Sequence, residues 1–247
     1  MIARDTGFVL RRYNFRETSV IATIYTRGHG KIKGVFKAFH TPKKEFTTSL
    51  DIFTLNEFVF YPKKRELWLV SFADMVKDYP YLRKSYGKNI IASLFISIID
   101  RIMPVWDVNA DVFKLLDNSL ELLKSEDELK VLVIFLIELL AISGFEPQFG
   151  HCLRCHCELS GGAYFSVSRG GLLCGKCTGG VVDAQSVGND VVSSIRYIQD
   201  VDFFKGMRLK LSNNCERGIF YILREFVLYH LEIDIQPALS LYQKNIT

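Results

Sequence analysis

Two hydrophobic periods divide this chain. Up to residue 78, apolar and polar positions alternate in short runs. Segments 7–13, 19–26, 31–37, 50–61 and 67–76 are rich in β-branched and aromatic residues, and such residues suit a pleated, half-buried surface. The segments between them carry turn chemistry, Arg27-Gly-His-Gly30 and Tyr61-Pro-Lys-Lys-Arg65. Five strands in under eighty residues predict a small antiparallel barrel of the OB type. From about Tyr86 the period becomes 3.6. Ile90, Ile91, Leu94, Phe95, Ile98, Ile99 and Ile102 mark one helix that stops before Pro104. Val112, Phe113, Leu115, Leu116 and Leu120 mark a second, capped by Asn109. A third runs over 129–143, with Ser125-Glu-Asp-Glu128 as a capping box, Gly144 as a left-handed C-cap and Pro147 beyond. Segments 190–199 and 215–232 read as two more helices, the latter with Ile219, Ile222, Leu223 and Phe226 on one stripe.

The expected fold class is therefore α+β and multidomain. An OB-fold β-barrel over 1–78 precedes a helical domain over 79–247, and a four-cysteine zinc module is inserted at about 148–182. That insertion is marked by Cys152-Leu-Arg-Cys155 and Cys174-Gly-Lys-Cys177, two C-x2-C pairs separated by eighteen residues. Each pair fits one tight turn, and the two turns can meet around a single tetrahedral Zn2+ ion. Four thiolates close the coordination sphere, so the ion is expected to be structural and not catalytic. Cys157, His151 and His156 lie beside the first pair and could substitute as ligands, but Cys152 with Cys155 mirrors Cys174 with Cys177. Cys215, alone on an apolar helix, reads as a core residue.

The 247 residues are 49% hydrophobic, enough for a sizeable core. The opening Met1-Ile-Ala-Arg-Asp-Thr-Gly lacks the apolar centre of a signal peptide, which predicts a reduced, cytoplasmic setting without disulfides. The longest apolar run, 131–145, is broken by Glu138 and is too short to cross a bilayer. A soluble protein is expected.

Charge changes the picture more. Residues 1–78 carry 14 Lys/Arg against 8 Asp/Glu, whereas 79–247 carry 17 against 19. Within 8–44, Arg11, Arg12, Arg16, Arg27, Lys31, Lys33, Lys37, Lys43 and Lys44 face the single acid Glu17. In Lys31-Ile-Lys-Gly-Val-Phe-Lys37 the cations alternate with Ile32, as on a half-buried strand with one charged outer face. Those nine cations are the candidate DNA contacts, since a phosphate backbone rewards such density. Tyr13, Phe15, Tyr25, Phe36 and Phe39 are interleaved with them. Most of these rings are expected in the core, while Phe15 and Phe39, at strand ends, are the ones placed for exposure and base stacking.

No reaction centre assembles. The chain has no G-x4-G-K-[ST], H-E-x-x-H or G-x-S-x-G motif. Gly28-His29-Gly30 reads as a hairpin turn and His230 as a satisfied core histidine. NAD-dependent DNA ligases also join an OB domain to zinc-binding cysteines, but their K-x-D-G lysine nucleophile is absent. A scaffold whose basic face meets acidic proteins and never DNA is the remaining rival.

Several ordered motifs span both domains. They are Gly7-Phe-Val-Leu-Arg11, Glu17-Thr-Ser19, His29-Gly-Lys-Ile-Lys-Gly-Val-Phe-Lys37, Gly144-Phe-Glu-Pro147, the two cysteine pairs, Tyr164-Phe-Ser166 and Gly170-Gly171. In these the chain resembles the RecO family of bacterial recombination mediators. The resemblance implies a non-enzymatic, cytoplasmic, nucleoid-associated protein of DNA damage repair and recombination in the RecFOR pathway. It implies binding of single- and double-stranded DNA, annealing of complementary strands, and help in loading RecA onto DNA coated with single-stranded DNA-binding protein. It also implies RecR, the C-terminal tail of that coating protein and, in many members, RecF as partners. Lys31, Lys33 and Lys37 are the best-aligned cations. Where the family carries Gly after the first cysteine pair, this chain has His156.

Overall fold

The structure is a computed structural model that describes residues 2–41, 46–62, 67–159 and 162–243. Its first five strands are β1 (Ala3–Phe15), β2 (Ser19–Thr26), β3 (Gly30–Phe36), β4 (Thr54–Tyr61) and β5 (Leu67–Asp78). They close into a barrel in the order β1-β2-β3-β5-β4, with β1 pairing β4 and β3 running parallel to β5. This is the OB-type barrel that the strand spacing predicts.

Alternation explains the closure. Val9, Val20, Ala22, Ile24, Ile32 and Phe58 are buried together in one hydrophobic core, and Ile32 has no exposed surface between the half-buried Lys31 and Lys33. β2 is buried along its whole length, because its outer face is also covered. Tyr25 packs on Phe113 at 6.3 Å and Phe8 on the same ring at 5.2 Å. Phe113 comes from α3 (Ala110–Leu122), which follows α1 (Pro80–Lys84) and α2 (Tyr86–Ile102). Asn109 caps α3 as its sequence predicts, its side chain accepting from the Asp111 and Val112 N–H groups. Lys77, 3.1 Å from Asp117 and 3.0 Å from Glu121, ties β5 to α3.

By internal contacts the chain falls into two compact units, Met1–Lys124 and Ser125–Thr247. Helices α1 to α3 thus group with the barrel in the first unit, although the change of hydrophobic period lies near residue 78. Periodicity reports the type of an element and not the surface it covers.

The second unit is built on α4 (Glu128–Ile142), whose residues from Val131 to Ile137 are all buried. Its start differs from expectation: Asp127, and not Ser125, is the N-cap, with its carboxylate accepting the Lys130 N–H at 3.0 Å. Its end is as expected. Gly144 adopts a φ of 77°, while the Phe145 N–H bonds to Leu140 O and the Gly144 N–H to Ala141 O, a Schellman stop. Around α4 pack α5 (Asn189–Asp200), α6 (Phe203–Arg208) and α7 (Asn213–Leu231), followed by α8 (Gln236–Gln243). Between α4 and α5 a three-stranded sheet, ordered β7-β6-β8, is made of β6 (Ala163–Ser166), β7 (Gly171–Cys174) and β8 (Ala184–Val187). Its four-residue strands are too short to show a period. His230 is a satisfied histidine, with Nε2 2.8 Å from Val167 O and its ring 4.2 Å from Phe226, and Cys215 is buried. Among the described residues, no helix is long and apolar enough to cross a membrane.

Glu138, which interrupts the apolar run of α4, leaves Oε1 buried without a hydrogen-bond partner. Burial, with the nearby Asp202 and Glu146 carboxylates, pushes its pKa up to about 7. The folded state therefore holds this proton more tightly than the unfolded chain does, so the contribution of Glu138 to stability is fully present at low pH and is lost as pH rises between about 4.5 and 7. Glu138→Gln is expected to stabilise the protein by about 1–2 kcal/mol at pH 8 and by little at pH 5. Urea titrations at the two pH values that give the same difference would refute this.

Candidate metal centre and nucleic-acid interface

The cysteine pairs are brought together by the small sheet. β7 ends at Cys174 and runs directly into a single 3-10 turn, Gly175–Cys177. Cys152 to Cys155 form the facing knuckle, in which the His156 N–H bonds back to Cys152 O at 2.9 Å. This turn requires a left-handed residue after the second cysteine, and His156 adopts it at φ 59°. A glycine meets that requirement without strain, whereas a histidine holds it at a cost the rest of the knuckle must offset. Cys152 and Cys177 are buried and pack with Leu173, while Cys155 is exposed.

All four sulfurs lie within 4.8 Å of one another, and Cys155 Sγ is 3.7 Å from Cys174 Sγ. Tetrahedral coordination with metal–sulfur bonds of about 2.3 Å sets sulfur–sulfur separations near about 3.8 Å. The four thiols therefore fit one tetrahedral, thiolate-bound ion. Burial raises the Cys152 pKa, but N–H groups from Cys155, Cys174 and Arg154 outweigh it and bring the value down to about 6. Cys174 is also lowered, burial being overcome by hydrogen bonds from neighbouring thiols. Hydrogen bonds with Cys155 and Cys174 push Cys177 the other way, up to about 12, so the cluster shares protons that a bound cation would release. Cys157 stands outside the cluster of four, with its Sγ 3.4 Å from Cys155 Sγ. His151 and His156 pack on each other at 5.2 Å.

The nine barrel cations are spread more unevenly than the sequence suggests. Arg11 and Lys31 converge on Asp100 of α2: Arg11 Nε is 2.6 Å from Oδ2, and Lys31 Nζ donates to the Asp100 carbonyl at 2.5 Å and lies 3.8 Å from Oδ1. Two thirds of the Arg11 side chain remains in solvent, but only 13% of the Lys31 side chain does. Burial lowers the Lys31 pKa, Asp100 opposes that shift, and Arg11 and Lys33 add to it. Strand register aligns Arg11, Thr23 and Lys33 across β1, β2 and β3. Arg12 is 2.9 Å from Asp51 and also donates to Ser49 O. Arg16 sits at φ 57° in the β1–β2 turn, its guanidinium 5.2 Å from the Phe15 ring centre. Arg27 and Lys37 are exposed, the latter just beyond the end of β3. Lys43 and Lys44 lie outside the described residues.

Among the rings, Tyr25 and Phe36 are core, as is Phe39 at 5% exposure. The expected exposure of Phe39 is thus overturned, because it packs edge-on to Phe36 and against Phe46. Phe15 is half-buried, and the open ring is Tyr13, 56% exposed. Asp100 was not legible as part of this surface. Its signal in the sequence is an acid directly after Ile98 and Ile99, near the end of the apolar stripe of the helix.

The N-terminal 79 residues match the family model described as "Recombination protein O N terminal", and residues 83–236 match "Recombination protein O C terminal". Among curated relatives named DNA repair protein RecO, that of Caldicellulosiruptor saccharolyticus is 28% identical over 231 residues, 93% of each chain. That of Pelotomaculum thermopropionicum is 28% identical over 230 residues, 93% of this chain and 90% of its own. That of Alkaliphilus metalliredigens is 27% identical over 236 residues, 94% and 95% of the two chains. With family models matched on both sides of residue 80 and a closed barrel and cysteine cluster where the resemblance places them, the chain belongs to the RecO family.

Proposed function

We propose that this chain is a DNA repair and recombination mediator that works without a reaction centre. The observation that carries the reading is the family match along both halves of the chain, to relatives named as DNA repair proteins. It binds single- and double-stranded DNA through the barrel cations, anneals complementary strands, and helps load RecA onto strands coated with single-stranded DNA-binding protein. RecR and the C-terminal tail of the coating protein are its partners, with RecF as a further one, and it acts in the cytoplasm at the nucleoid.

The physical basis is counterion release. Exposed cations such as Arg11, Arg27 and Lys37 neutralise phosphates and free condensed ions, which binds strands without reading their sequence. Two strands held close then pair by their own stacking, with no nucleotide hydrolysed. Cys152, Cys155, Cys174 and Cys177 hold one structural zinc ion. Its thiolate bonds supply folding energy to the module, and four protein ligands leave no position for a reacting water.

The test is annealing of complementary oligonucleotides coated with single-stranded DNA-binding protein, without nucleotide, across a salt series. Acceleration that weakens as salt rises is expected. Arg27→Glu with Lys37→Glu should weaken binding equally for unrelated sequences and flatten the log–log salt slope by about 0.7 per lost phosphate contact. Binding to an acidic peptide that persists where DNA binding vanishes would replace this reading with the scaffold.

A further inference from the structure

We infer that Trp106 is a base-stacking residue for single-stranded DNA, on a loop built onto the edge of the barrel. The inference rests on the DNA-binding reading above and adds a residue to it.

The loop from Met103 to Asn109 joins α2 to α3. Among the described residues, β5 pairs with β3 from Lys33 onward, and the start of that β3 edge lies ahead of those pairs. The loop occupies it. Val105 forms a parallel bridge with Lys31, and the Trp106 N–H donates to Lys31 O at 2.9 Å. Asp107 closes against the β2–β3 turn so tightly that a Cβ on Gly30 would stand 2.1 Å from its carbonyl oxygen. Met103 is buried at the loop's start.

A loop anchored this firmly could have buried its one large ring, yet it turns that ring outward. Trp106 is 46% exposed, between Val105 at 40% and Val108 at 51%. Its backbone sits at φ 64°, a conformation that costs a bulky residue of order 1 kcal/mol or more and that clusters at functional positions. Lys31 is spent on Asp100, so the phosphate partner alongside is Arg11, which reaches the same carboxylate but keeps two thirds of its side chain in solvent. The neighbouring Arg101 is exposed as well. An exposed indole beside cations is the composition that holds single strands, with stacking and phosphate contact supplied by different side chains. The ring can stack only on a base with an open face, so the occupant is a single strand and not a duplex.

The experiment uses the full chain with its metal. Trp68 is the only other tryptophan and lies in the barrel core, so in a Trp68→Phe protein the fluorescence reports Trp106 alone. Oligothymidylate is expected to quench it. Trp106→Gly suits the left-handed backbone and should leave thermal stability intact, while weakening single-strand affinity roughly tenfold. Its salt slope and duplex affinity should be unchanged, and Trp106→Phe should retain most of the binding. Unmoved fluorescence, or equal single-strand binding by Trp106→Gly and the unmutated protein, would overturn the assignment and leave the loop to a protein partner. If the unmutated protein binds no single strands, the proposed DNA-binding function fails first.

Discussion

Replacing Cys152 by serine is expected to empty the metal centre and unfold the small sheet while leaving the barrel intact. Cys152 is fully buried, and its sulfur accepts the Cys174 N–H at 3.4 Å. It packs with Leu173 and Cys177, so the variant loses a ligand and a core contact together. The spare thiol cannot compensate, because Cys157 stands beside Cys155, on the exposed side of the cluster. Structural zinc supplies on the order of 10 kcal/mol to modules of this kind, far more than a sheet of four-residue strands gains from its own pairing. Metal content should fall from one equivalent to near zero. Amide exchange at Tyr164 and Leu172 should become fast, while that at Ile24 and Ile32 stays slow. Retention of a full equivalent of metal by Cys152→Ser would show that the four-cysteine assignment is wrong.

Lys31→Glu is expected to destabilise the barrel unit by on the order of 3 kcal/mol, an effect on folding before any effect on DNA. The substitution sets a second carboxylate against Asp100, whose side chain is only 9% exposed. Arg11 alone would then have to balance both. Lys31→Met together with Asp100→Asn should cost less than the two single changes summed, because each single change strands a partner. Urea denaturation of the four proteins measures that coupling, and additive losses would mean that the pair is energetically inert. Reversals at Arg27 or Lys37, which are exposed, probe phosphate contact without this complication.

These two cases show what was legible. The barrel could be read because β3 alternates Lys31, Ile32 and Lys33, and because the runs end at turn residues such as Gly28 and Gly30. The four-cysteine cluster could be read because both C-x2-C pairs are local in sequence. Asp100 and Trp106 could not, since their meaning depends on a helix and a loop reaching β3 from some seventy residues away. Phe39 follows a strand, which predicts exposure, yet the chain folds back and inserts the ring beside Phe36. The N-cap of α4 lies two residues beyond the one the sequence predicts, since Ser125 and Asp127 both carry capping chemistry and only the geometry of the turn selects between them.

The pairing of β1 with β4 bears on how the protein is made. On a ribosome, β1, β2 and β3 emerge in order and can pair as they appear, but the second edge of β1 waits for Leu55 to Phe60. The parallel seam between β3 and β5 waits for Leu67 to Val70. Until then two strand edges and an unfilled interior face solvent, and pairings between residues so distant in sequence form slowly. β5, the last strand to emerge, pairs with both β3 and β4, so the barrel should close in a single late step of synthesis.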